Sequence, residues 1–439
     1  LSCMSVIDEK SIFTAMKQDG PFRVEDDLNF GQVFSRHSRD WVKTFCTDRV
    51  TVTKYRAVRE YIFDLLQISS FEQIEAIMGN RQEIKKRSIR AYLLLANLYG
   101  ISGEMSEIKN RIKEYAISAD EVIIYLRNKV LANYHSNIEI SNEIETTHNP
   151  IELLLITLNE KYHKKSRFEA KRKLVLMGLA GSIDQRERET QIESKFSGFL
   201  NFLNQYVWSP RLKIGELKTA YLLSQHDKDN FACHHVKVIE NIKQAETLKL
   251  DEKEKLTLVK RRQFNFSGKE IPVYVTVRKK DSAAKILKLL RKNEKNPAVA
   301  VDDELGLMAV LDSTADVKRF VRHLTLSAIK ADSIMVLEDI SDTLTGGYYH
   351  ASSVGSSQET PMLKFFARIG GMRVEFIIHT NETYLNYRYQ KGIAHDEYEV
   401  RRLFDSNVAE FLFPEDIYQL DMNLIREKQL ASFRKAIES

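Results

Sequence analysis

At Lys269 the chain changes its period, and this limits the folds open to it more than any other feature. Ile271, Val273, Val275 and Val277 alternate with other residues, the spacing of a strand. Upstream, apolar side chains recur at helical intervals instead: Val58, Tyr61, Ile62, Leu65 and Leu66, then Ile89, Tyr92, Leu93 and Ala96. Ser118 with Glu121, and Ser70 with Gln73, have the spacing of capping boxes. The segment from Leu212 to Arg262 reads as helical and increasingly charged, ending in Lys260-Arg261-Arg262. After Lys269 the expected order is strand, helix from Ser282 to Glu294, strand from Leu305 to Leu311, helix from Thr314 to Ser327, strand from Ser333 to Leu337, a glycine-rich turn, strand from Met372 to His379, then helices. The fold class expected is therefore α+β: an all-helical N-terminal part, a mixed sheet flanked by helices, and a helical C-terminal extension.

A chain of 439 residues is long for one core, and an apolar fraction of 43% can fill several. The polar run from Ser136 to Pro150 and the proline at 210 mark breaks, giving an expected helical region over 1–149, a helical middle region over 150–265 and an α/β domain with C-terminal helices over 266–439. Three scattered cysteines supply neither a disulfide framework nor zinc spacing, and fit a reducing cytoplasm. No apolar run reaches the length of a membrane span, and no basic stretch followed by an apolar one opens the chain, so no membrane partner is expected. The net charge of +5 permits an anionic partner without requiring one. Gly178-Leu179-Ala180-Gly181-Ser182 lacks the lysine and spacing of a phosphate loop and reads as a helix C-terminus. His226-Asp227 and His234-His235 lack the further ligands that a metal requires. Near the C-terminus, Arg401 and Arg402 are expected to pair with Glu397 and Glu399, Phe411 to Pro414 to dock a helix end on the core, and Leu420 to Ile437 to form a last amphipathic helix.

The chemistry centres on Met372 to Thr380. Arg373, Glu375, Ile377 and His379 share one face of that strand, while Val374, Phe376, Ile378 and Thr380 share the other. An acid in mid-strand needs a cationic partner, and a second carboxylate at the edge of a neighbouring strand would make a seat for a divalent metal. Asp303, in the acidic start of the strand Leu305 to Leu311, is the candidate. The plainer reading pairs Glu375 with Arg373, or with a lysine on the next strand, on a wet face.

Five short motifs in order carry a resemblance. Arg278-Lys279-Lys280-Asp281-Ser282-Ala283-Ala284-Lys285, Asp303-Glu304-Leu305-Gly306, Gly347-Tyr348, Val374-Glu375 with Ile378 and Thr380, and Ala394-His395 with Tyr398 together resemble the RelA/SpoT-type alarmone synthetase domain, over about residues 273 to 403. The resemblance implies a nucleotidyltransferase-like fold and a stringent-response chemistry in which ATP donates pyrophosphate to the 3′-hydroxyl of a guanine nucleotide. It implies that Asp303 and Glu375 hold Mg²⁺ and act in catalysis, and that Arg278, Lys280 and Lys285 clamp the ATP phosphates beside Ser282. Tyr348 would stack on the acceptor base, and His395 would point toward the phosphates. Met308 and Ile377 stand where members of that family carry arginine and glutamine, and His379 stands where they carry arginine. Two further readings stay open: an inactive, nucleotide-binding relative, and transfer to the 3′ end of a tRNA. A blander one is a helical scaffold whose Lys285, Lys288 and Arg291 are a solvated helix face.

Overall fold

The computed structural model of the chain describes residues 49–209, 217–302, 305–345 and 360–438. Asp303, Gly347, Tyr348 and Pro210 lie outside them. The fold is α+β, with helices at both ends and a mixed sheet of eight strands. No described helix is long and apolar enough to cross a membrane. The chain divides into two compact units that interleave along the sequence. The first takes Leu1–Arg186, Ser282–Pro297 and Leu403–Arg426; the second takes Glu187–Asp281, Ala298–Arg402 and Glu427–Ser439.

The first unit is helical. Leu66, Ile74, Ile77, Ala91, Ile151 and Leu155 form one of its cores, with Ile62 and Leu65 packed against them. Only this end of the expected stripe is buried, for Val58 and Tyr61 face solvent, as does Leu93 in the next helix. Pro150 sits in the first turn of helix Pro150–Leu158, where its missing N–H costs nothing, and the Asn149 side chain accepts from the Ile151 N–H at 2.9 Å. Ser118 is not a cap but an interior residue of helix Met105–Lys129, whose start is closed by the Glu104 N–H donating to Glu107 at 2.9 Å. Phe413 is fully buried, as expected of a docked helix end.

The Gly178 to Ser182 segment does not end a helix either; it runs through the middle of Lys164–Thr190. Its glycine has a packing reason, since a Cβ on Gly181 would come within 2.7 Å of the Tyr99 ring. Helix propensity alone favours any other residue but proline there, so contact geometry decides the position. Gly181→Leu is expected to lower the unfolding free energy by about 2–3 kcal/mol through overpacking, read as a lower urea midpoint. An unchanged midpoint would show that Tyr99 can move aside freely.

The second unit is built on the sheet. Its strands are β1 Lys218–His226, β2 Cys233–Ile239, β3 Glu254–Phe266, β4 Lys269–Lys279, β5 Leu305–Leu311, β6 Val336–Asp342, β7 Leu363–Ile369 and β8 Met372–Thr380. Their order is β2-β1-β3-β4-β5-β8-β7-β6, and the only parallel pairing among them joins β5 to β8. One face carries the apolar rows Leu305, Leu307, Ala309, Leu311 and Val374, Phe376, Ile378, covered by Val317, Phe320, Leu324 and Ala328 of helix Thr314–Lys330. The other face holds the alternate residues.

Of the segment 212 to 262, expected to be helical, the described residues from 217 on form β1, β2 and most of β3 with their connections, apart from the short helix Ile242–Glu246. The strand period is present but carried by polar side chains. The buried row of β1 is Ala220, Leu222, Ser224 and His226, and that of β3 includes Thr257 and Arg261. His226 is satisfied inside the core, its ring nitrogens lying 2.8 Å from Ser224 Oγ and 3.0 Å from the Phe231 carbonyl.

Candidate functional site

The site is organised by one row of residues across three strands. Arg278 on β4 is in register with Gly306 on β5, and Gly306 with Glu375 on β8. One strand, β5, thus separates the acid from the cation that meets it, and the glycine on that strand makes the meeting possible. A Cβ on Gly306 would stand 3.1 Å from Nε and 3.3 Å from Cγ of Arg278, because the arginine side chain passes over the bare backbone of β5. At the far side, Arg278 donates to Oε2 of Glu375 at 3.2 Å. Lys364 of β7 reaches the other carboxylate oxygen at 3.1 Å. Lys364 opposes Ile377, so it meets Glu375 on the diagonal of the β7/β8 pair.

Glu375 is only 7% exposed. Burial pushes its carboxyl upward, but the charges of Lys364, Lys280 and Arg278 outweigh burial and hold it below the usual range. It is therefore an ionised carboxylate at neutral pH.

The next row, Thr276, Met308 and Ile377, continues the same face. Helix Asn381–Tyr389, which begins where β8 ends, supplies Tyr384, Tyr387 and Arg388; helix His395–Asp405 supplies His395 and Asp396. Together these residues line a cavity of about 280 Å³. The Tyr387 and His395 rings stack with centroids 4.9 Å apart, and the His379 ring lies 5.2 Å from that of Tyr387. Arg388 donates to the Tyr384 hydroxyl at 3.4 Å. Burial lowers both imidazoles, His379 to about 3, and raises the Tyr384 hydroxyl to about 12. The histidines are thus neutral near pH 7, and the positive charge comes from Arg278 and Arg388, which line the cavity, and from Lys364 and Lys280, which act on its Glu375.

Of the residues singled out in the sequence, Glu375, Arg278 and His395 come together around this cavity, and Lys280 acts on Glu375 through its charge. Ser282 and Lys285 belong to the first compact unit, where Lys285 is only 2% exposed. Lys285 therefore fits neither a solvated helix face nor an open phosphate clamp. Asp303 and Tyr348 lie outside the described residues. Arg373, the other expected partner of Glu375, pairs instead with Glu338 at 3.3 Å and Asp339 at 3.0 Å. Lys364 is a lysine on the next strand, as the plainer reading of Glu375 allowed, whereas Tyr384, Tyr387 and Arg388 were not foreseen. The usable signal was Tyr384-Leu385-Asn386-Tyr387-Arg388, which puts two aromatics and a cation on one helical face directly after the acid-bearing strand.

The described residues do not by themselves fit a divalent cation. Both oxygens of Glu375 are taken by cations, and no group of three or more His, Cys, Asp or Glu among the described residues converges to hold a metal. Compared with protein-family models, curated proteins and solved structures, the chain matches none.

Proposed function

We propose that the second unit is an alarmone synthetase-like nucleotidyltransferase domain that binds ATP in this cavity and transfers its β,γ-pyrophosphate to the 3′-hydroxyl of a nucleotide, with AMP as the leaving group. One observation carries the reading: an ionised, buried carboxylate fixed between Lys364 and Arg278, on a strand paired in parallel with the one that follows Asp303. Arg278, Lys280, Lys364 and Arg388 supply the fixed cations that a polyphosphate needs, and arginine can grip two oxygens at once. Tyr384 and Tyr387 offer aromatic faces to a base. Glu375 accepts a hydrogen bond from the acceptor hydroxyl and offsets the surrounding positive charge. Mg²⁺ is the cofactor the resemblance expects, and its ligands would have to include residues beyond the described ones. A cytoplasmic setting is supported by the few cysteines and the free, buried thiol of Cys233.

Met308 and Ile377 favour a second reading, nucleotide binding without transfer, because apolar side chains line the cavity where stabilising charge would act. The test is incubation with labelled ATP and Mg²⁺, with guanine nucleotides or bulk tRNA as acceptors, and ATP binding measured alongside. Glu375→Gln is expected to reduce transfer on the order of 100-fold. Transfer unaffected by the substitution removes Glu375 from the mechanism. Binding without transfer to any acceptor selects the second reading, and absence of both overturns the assignment.

A further inference from the structure

Resting on that reading, we propose that the cavity takes the polyphosphate of a nucleotide free of divalent metal, with Arg278 and Lys364, held on the two oxygens of Glu375, as the principal phosphate-binding groups. A carboxylate that ligates a metal must have negative charge left over from its neighbours to offer it. Glu375 presents Oε2 to Arg278 at 3.2 Å and Oε1 to Lys364 at 3.1 Å. A divalent cation arriving there would have to compete with both side chains for Glu375 and sit among like charges in a buried setting, where repulsion is poorly screened.

A polyphosphate meets the opposite situation. Arg278 gives Glu375 one N–H, has four left, and keeps 48% of its side chain exposed. The Lys364 ammonium has two further N–H donors. Glu375 therefore works as a counterion that holds two donor groups in place without exhausting them. Such preorganisation lowers the ordering cost of binding. Lys280 and Arg388 add positive charge, against which Asp396 is the second acid lining the cavity.

The experiment is calorimetric titration of the full chain with ATP, in Mg²⁺ and in EDTA. The affinity in EDTA is expected to stay within about threefold of that in Mg²⁺. Lys364→Met is expected to weaken binding on the order of tenfold in both buffers, with Lys364→Arg restoring most of it. Thermal unfolding checks that the variant folds, and Arg278→Gln decides the matter if it does not. Binding in Mg²⁺ that vanishes in EDTA overturns the inference while leaving the functional reading intact. Wild-type affinity in folded Lys364→Met removes Lys364 from the site. No binding in either buffer overturns both proposals.

Discussion

Glu397→Ala is expected to destabilise the second unit by about 2–4 kcal/mol, read as a lower urea midpoint at neutral pH. Glu397 is 0% exposed and begins no strand or turn of its own, yet it ties three segments together. One oxygen accepts from Arg401 at 2.6 Å and from Arg434 at 2.7 Å, and the other accepts from the Gly392 N–H at 2.7 Å. Gly392 has φ +83°, so the carboxylate fixes a turn that only a glycine adopts easily. Alanine would leave that N–H unpaired and two guanidinium groups without an anion. Both arginines are partly exposed and can take up water, which keeps the cost below that of a fully buried pair.

The same site gives a pH dependence with a definite sign. Burial pushes the Glu397 carboxyl up, but Arg434, the Gly392 N–H and Arg401 more than offset it and hold it below its ordinary 4.5. A depressed carboxyl contributes stability that is complete above the unfolded value and is lost as pH falls through the folded one. The gap in unfolding free energy between wild type and Glu397→Ala is therefore expected to be constant near neutrality and to narrow below about pH 4.5. An unvarying gap down to the acid transition would mean that the carboxylate's charge does not matter.

How far the fold could be read depended on which side chains carried the period. β4, β5 and β8 were legible because valine, leucine, isoleucine and phenylalanine mark alternate positions; the rows Leu305 to Leu311 and Val374 to Ile378 are buried as their spacing required. β1 and β3 bury Ser224, His226, Thr257 and Arg261 in the same alternating way, and a pattern scored on apolar residues cannot see them. Helix Ser282–Lys292 shows the reverse failure, since Lys285 marks a polar face by composition but is packed inside.

The site was legible where its geometry is local to a strand and hidden where it depends on pairing. Alternation placed Glu375 on the face opposite the core, and that held. A lysine on the next strand was readable as a partner, but which lysine, and Arg278 at all, were not, because strand order is not written in either strand. Arg278 comes from two strands away and Lys364 from β7, a strand that follows the segment outside the described residues. Arg373 was the nearest cation in sequence, but Glu338 and Asp339 on the edge strand engage it instead.

Gly306→Val is expected to leave the sheet folded and to weaken ATP binding on the order of tenfold or more, the loss of a charge-assisted contact. Gly306 has no left-handed backbone angle, and a β-branched residue suits a central strand, so the substitution carries no backbone penalty. The consequence falls on Arg278. Its Nε and Cγ already lie 3.1 and 3.3 Å from where a Cβ would be, and two further methyl carbons fill the trough that the guanidinium crosses. Arg278 would then be pushed off β5 toward solvent, and Glu375 would keep, among the described residues, Lys364 as its direct ion-pair partner. Gly306→Ala asks the arginine to yield only a few tenths of an ångström, so its loss should fall between those of wild type and valine. Arg278→Lys provides the control, because a lysine has a compact ammonium and cannot reproduce the planar fork that spans the strand. If Gly306→Val binds ATP as the wild type does, the crossing of Arg278 over β5 has no part in ligand recognition, and the row from β4 to β8 is a packing feature alone.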